Sequence, residues 1–320
     1  MLKAYEAGGK GLQLCPPESR LAEALWIDLH APTPEELARV VRLGVDVPSL
    51  AEMEEIEVSN RIYREAGVDY MTVVLPGQTG AGEQIGAPVC FALMAGRLIT
   101  VRHHAPRPFE TFADRANQSN IGCALPETVF LGLVQEIVGR LADHLEAVGR
   151  GLDEVSRSIY QPDPRSPRPD GLQSVLVSIG LEGERLNRVR LSLMTLARAL
   201  NHFGLALTTF RDPAVLAEFL TGQSRDIAAL ELHADFLSSR LALASDAALG
   251  MINLAQNGTV RIVSVVAVLF LPPTLIASIY GMNFAVMPEL GHPLGYPMAL
   301  GLMVASALVT FAFFRWRGWL

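Results

Sequence analysis

Few residues in this chain carry chemistry at a suggestive spacing. Tyr280-Gly281-Met282-Asn283-Phe284 follows directly on a long apolar run and precedes a loop nearly free of charge. It sets a glycine, with its permissive backbone, and a neutral carboxamide at the end of that run. A carboxamide oxygen can accept from the water shell of a hard cation without a carboxylate's tighter hold. Upstream, Asn257, Val260 or Arg261, Ser264, Ala267 or Val268, Leu271, Thr274 and Ser278 recur at three–four spacing, which gathers the run's few polar groups on one helical stripe. Such a stripe suits a water-filled axis. Small polar residues that bond neighbouring helices are the alternative. Glu289, the one acid of the following loop, either concentrates cations near Asn283 or is a solvated turn residue.

Other clusters are weaker. Glu52, Glu54, Glu55 and Glu57 could hold a cation, but such a run is more often one solvated helix face. His103 and His104 are adjacent, so on a strand they point to opposite faces and cannot easily share an ion. Gly8-Gly9-Lys10-Gly11 lacks the length and the Ser/Thr of a phosphate loop. There is no HExxH, GxSxG or Walker loop and no close His/Cys cluster, which argues against an enzyme.

The elements that must position these residues begin with the membrane. Ile262 to Tyr280 is 19 residues without a charge, and Pro293 to Phe314 is 22. At about 1.5 Å per residue each spans a hydrocarbon core of roughly 30 Å. Arg261 flanks the first span and Arg315 and Arg317 the second, while residues 281–292 contain no Lys or Arg. The positive-inside rule then puts both termini in the cytoplasm and the loop outside, with Trp316 and Trp319 in an interfacial belt. Pro272 and Pro273 leave the carbonyls of Val268 and Leu269 without helical partners; either a pore wall or a tolerated kink satisfies them. Two helices cannot enclose a pore. The chain is therefore either anchored only, as a membrane enzyme or metal sensor would be, or one of several copies around an axis.

The first 260 residues carry nearly all the charge of a 320-residue chain whose net charge is −7, a balance that argues against a nucleic-acid partner. Cys15, Cys90 and Cys123 are far apart and form no CxxC pair, so buried thiols in a reducing compartment are expected. No apolar run near Met1 reads as a cleavable signal. Residues 1–125 read as an α/β domain: strand-like 24–29, a helix opening at Thr33-Pro34-Glu35-Glu36, a strand over 69–75 ended by Pro76 and the Gly77–Gly86 stretch, and a hairpin of 89–94 and 98–102 about Ala95-Gly96-Arg97. From residue 126 to 160 apolar residues recur at helical spacing. The proline-rich 161–171 breaks that helix, and a second covers about 172–203, giving an antiparallel hairpin. A third opens at Asp212-Pro213 and runs unbroken into the first span, a stalk able to carry movement to the membrane. The fold class expected is an α+β membrane protein with three parts: cytosolic α/β domain 1–125, helical hairpin and stalk 126–260, and transmembrane domain 261–320, with spans of about 261–280 and 293–314 around outer loop 281–292.

The run Leu271-Pro272-Pro273-Thr274-Leu275-Ile276-Ala277-Ser278-Ile279 leading into Tyr280–Phe284, then Met287-Pro288-Glu289-Leu290, Gly295-Tyr296-Pro297 and the C-terminal helix ending in a basic cluster and Trp319-Leu320, resembles the signature of the CorA family of divalent-cation channels. Residues 24–29 and 53–61 also look family-like, and the order of domains matches. The resemblance implies a funnel-shaped homopentamer in the cell inner membrane. It would carry Mg2+, with Co2+ and Ni2+ as further ions, down the membrane potential. Gly281, Met282 and Asn283 would form the outer entrance, and Asn257, Val260, Val263, Ala267, Leu271 and Thr274 the pore lining, a set that favours Val263 over Ser264. It implies no cofactor beyond Mg2+ as transported and regulatory ion, the latter bridging acids between subunits; Glu83 and Asp226 stand at the matching positions, although the acid pair is not cleanly present, and Glu231 and Asp235 lie further on. The zinc-transporting branch of the superfamily is the near alternative, and Met282 leans towards the magnesium branch.

Overall fold

The computed structural model describes residues 1–8, 11–15, 21–55, 57, 61–116, 121–161, 169–283 and 287–319. Contacts divide the chain into two units, Met1–Gln161 with Val175–Ser245, and Pro162–Ser174 with Asp246–Leu320.

The first unit is built on a seven-stranded sheet of order β2-β1-β3-β7-β6-β5-β4. Its strands are β1 (Leu2–Gly8), β2 (Gly11–Leu14), β3 (Trp26–His30), β4 (Ile62–Glu65), β5 (Val68–Gln78), β6 (Gln84–Met94) and β7 (Arg97–Arg102). β3 and β7 pair in parallel and the other neighbours are antiparallel. The two-residue side-chain period sorts the core. Val89, Phe91 and Leu93 of β6 face one cluster, shared with Phe130, Leu193 and Phe203 of the long helices. Cys90 and Ala92 face the other, with Val40, Val45 and Met53. The short helices are α1 (Pro34–Val41), α2 (Leu50–Glu54) and α3 (Pro108–Arg115).

Three expectations are corrected here. β5 does not end at Pro76 but continues through it to Gln78. β4 covers β5 only up to Met71, so Pro76 lies on a free edge where its missing N–H costs no ladder bond. Further along the same stretch, Val74 N–H donates to Thr195 Oγ1 at 3.1 Å. Gly77 is no turn residue: a β-carbon there would stand 2.6 Å from the His104 ring, because the chain at Ala105 bridges to Gln78. Thirdly, the acids near residue 52 are not one helix face. α2 has five residues, and Glu52 closes a capping box with Ser49, whose backbone N–H is the first of the bonds holding the Glu52 carboxyl below the ordinary range. Strands β1, β2 and β4 were not legible in the sequence.

α4 (Pro126–Tyr160) and α5 (Pro169–Leu205) form the expected helical hairpin, with α5 three residues longer at its N-terminal end and two at its C-terminal end than its periodicity indicates. Most of the proline-rich connection, residues 162–168, lies outside the described residues. α6 (Pro213–Tyr280) opens where Asp212-Pro213 predicts, with Pro272 and Pro273 inside it. The second unit holds the latter part of α6, a 3-10 turn at Pro288–Gly291, and α7 (Gly295–Trp316).

Candidate functional site

The structure places Gly281, Met282 and Asn283 at the C-terminal end of α6, all three exposed. Gly281 N–H donates to Ala277 O at 2.9 Å and Met282 N–H to Ile279 O at 3.3 Å, which closes the last turn. Asn283 follows as the first residue out of the helix, its carboxamide in the open. Phe284 lies outside the described residues. Glu289 falls in the 3-10 turn, and its side chain lies outside them too.

Below that end, Asn257, Val260, Val263, Ala267, Leu271 and Thr274 are all exposed, Leu271 by 68% and Val260 and Val263 by 63% each. At 3.6 residues per turn the set falls within an arc of about 120° on α6. Ser264 is exposed as well, whereas Val265 beside it is buried. Thr274 Oγ1 donates to Phe270 O and Leu271 O at 2.9 Å each, which commits its proton to its own helix and leaves the oxygen's lone pairs facing outward. The most apolar stretch of α6 has a mean hydropathy of 2.4 and is 6% buried; the corresponding values for α7 are 2.0 and 11%. The core helix of a soluble protein would be mostly buried, so these two helices carry apolar surface made for lipid or for other copies.

The acids expected to bridge neighbouring subunits lie on separate elements of the chain. Glu83 is exposed in the turn between β5 and β6, where its N–H donates to Thr79 Oγ1 at 3.2 Å. Asp226 is exposed on α6, and Asp235 pairs with Arg190 at 2.9 Å. Among the described residues no three His, Cys, Asp or Glu side chains gather as a metal site. His104 is a core residue, its Nε2 at 3.0 Å from Leu75 O, and His103 is exposed. Cys15 and Cys90 are buried and Cys123 half-buried; burial pushes the Cys90 thiol up to about 12. What sequence reasoning missed is a run of guanidiniums between α3 and α4, Arg107, Arg115 and Arg140, which no spacing along the chain announces.

The family model described as "CorA-like Mg2+ transporter protein" matches residues 22–316. A protein named magnesium transport protein CorA from Pasteurella multocida (strain Pm70) is 34% identical over 304 residues, covering 94% of each chain. Its namesake from Escherichia coli (strain K12) is 32% identical over 325 residues, covering both chains completely. Among solved structures, the complete CorA magnesium transporter from Methanocaldococcus jannaschii superposes with a TM-score of 0.75 at 18% identity, covering 100% of this chain and 99% of that one.

Proposed function

The chain belongs to the CorA-like Mg2+ transporter family, and on that premise we propose that it is a magnesium channel of the cell inner membrane. The observation that carries this is the placement of Gly281-Met282-Asn283 at the mouth of an exposed apolar helix that a second such helix follows. Five copies surround an axis, each giving the Asn257, Val260, Val263, Ala267, Leu271 and Thr274 face of α6 to the pore. Asn283 carboxamides and Gly281 carbonyls ring the outer entrance and hold the ion by its water shell. Mg2+ sheds water reluctantly, so neutral acceptors that bind without trapping suit conduction. Glu289 adds charge near the mouth. Both termini are cytoplasmic, and the inside-negative potential supplies about 4.6 kcal/mol per divalent ion per 100 mV. Co2+ and Ni2+ pass as further ions, and cytosolic Mg2+ at subunit contacts involving Glu83 and Asp226 favours closure.

Purified full-length protein in liposomes tests this. Mg2+ should enter when the interior is negative, Co2+ and Ni2+ should compete, and Asn283→Ala should abolish or deregulate the flux. An intact pentamer that passes no Mg2+ at any internal Mg2+ level would sink the channel reading. Zn2+ uptake that follows a proton gradient would favour the zinc branch, and a monomer in mild detergent an anchored protein that moves nothing.

A further inference from the structure

Two adjoining cavities, of about 490 and 350 Å3, lie where α3 and α4 meet the turn end of the β5–β6 hairpin. They share Arg107, Thr111 and Arg140, so they make one groove; Arg115 lines the first part and His144 the second. Its cations differ in how firmly they are held. Arg115 donates to Glu136 Oε1 at 3.0 Å, which also accepts from Thr111 Oγ1. Among the described residues Arg140 pairs with Asp143, one turn along its own helix at 3.3 Å, an exposed pair of little strength. The Arg107 guanidinium has no ion pair among the described residues. Behind His144 stand Arg185 and Arg188 of α5. Burial first, then Arg140 and these two arginines, opposed by Asp143, hold the imidazole below its ordinary value, while Arg185 pairs with Glu182 and Arg188 with Glu184. Glu110 lines the second part of the groove and Asp143 the first, together with Arg107, unpaired among the described residues, and Arg140, which Asp143 holds.

That donor set is mixed in a specific way. Planar guanidiniums match phosphate oxygens in bidentate fashion. Carboxylates beside them would repel a bare phosphate, but Mg2+ in protein sites keeps several waters and is held by one or two carboxylates together with the phosphates it chelates. We propose that the groove binds a small soluble diphosphate as its Mg2+ complex. Arg107 and Arg140 take the phosphate oxygens, and Glu110 and Asp143 accept from the waters of the ion. The residues that take the ligand are not those of the pore mouth, and Gln84, next to Glu83, lines the same groove; its occupancy reports chelated rather than free Mg2+ in the cytoplasm. The binding itself does not depend on conduction, so it stands or falls apart from the channel reading.

The test is calorimetric titration of full-length protein, in detergent free of anionic lipid and at clamped free Mg2+, with magnesium pyrophosphate. One site per chain is expected. Arg107→Ala and Arg140→Ala should each weaken binding about tenfold, with Arg107→Gln as a further variant should either fail to fold. Stripping Mg2+ with a chelator should weaken it as well, while Arg150→Ala, whose partner is Glu146 on its own helix, should leave it unchanged. No heat with the wild type, or undiminished binding by both Arg107→Ala and Arg140→Ala, would overturn the proposal. So would equal affinity for metal-free pyrophosphate, or tighter binding of short-chain phosphatidic acid, which would make a lipid headgroup the ligand.

Discussion

Arg102 and Asp28 meet across the parallel junction of β7 and β3 as a buried two-point ion pair, with Nη2 at 2.9 Å from Oδ2 and Nε at 3.2 Å from Oδ1. Thr100 Oγ1 donates to Asp28 Oδ1 at 2.8 Å, Arg102 Nη1 donates to His104 O at 3.0 Å, and the guanidinium lies 5.3 Å over the Phe109 ring. The network is satisfied, so removing one member strands the other's charge. Asp28→Ala and Arg102→Ala should each cost about 3–5 kcal/mol, whereas the apolar pair Asp28→Leu/Arg102→Met should cost far less than their sum. Urea unfolding of the full chain in detergent measures this, and strictly additive costs would refute the account.

Gly151 of α4 is a notch for Glu182 of α5. A β-carbon at 151 would stand 2.6 Å from the Glu182 carboxyl carbon, and Glu182, 8% exposed, has one oxygen bonded to Arg185 and the other without a partner among the described residues. Alanine normally stabilises a helix over glycine by about 1 kcal/mol. Here the atoms in the way are the movable end of the Glu182 side chain, so Gly151→Ala should lose most of that gain, and Gly180→Ala, in open space on α5, should show it in full. Combining Gly151→Ala with Glu182→Ala should restore the gain; thermal melts of the three variants decide.

His104 makes the fold pH-dependent. Burial, the largest cause, lowers its pKa to about 4 from an ordinary 6.5, and its buried Nδ1 has no partner among the described residues. The unfolded chain therefore binds more protons between those values. Stability is full above about pH 6.5 and is lost as pH falls through the window to about 4, by about 3 kcal/mol. His30, His103 and His144 are lowered too and act in the same sense. Melting temperature against pH should fall less steeply for His104→Gln than for the wild type. Parallel curves would show that another group carries the dependence.

Gly281 bonds to Ala277 O at 2.9 Å, and a β-carbon on it would stand 3.1 Å from that same oxygen. Gly281→Ala must open the turn by a few tenths of an ångström and re-aim Asn283. Ion flux in liposomes should drop roughly tenfold with assembly unchanged. Full flux would mean that the turn tolerates the shift.

The sequence by itself determined the apolar spans, the helical hairpin, the start of α6 at Pro213 and the exposed helix end at Gly281–Asn283. These depend on local quantities: length and hydropathy of an uncharged run, a 3.6-residue period, a proline at a helix start. The tertiary structure decided what depends on partners far along the chain. Pro76 sits inside a strand because β4 is too short to reach it. Asp28 finds its countercharge 74 residues away. Glu52 caps a helix instead of joining an acidic face, and Arg107 and Arg140 share a groove only because α3 packs on α4. Hydrophobic periodicity sorts a chain into elements, but a polar side chain takes its role from whichever groups packing brings within hydrogen-bond reach.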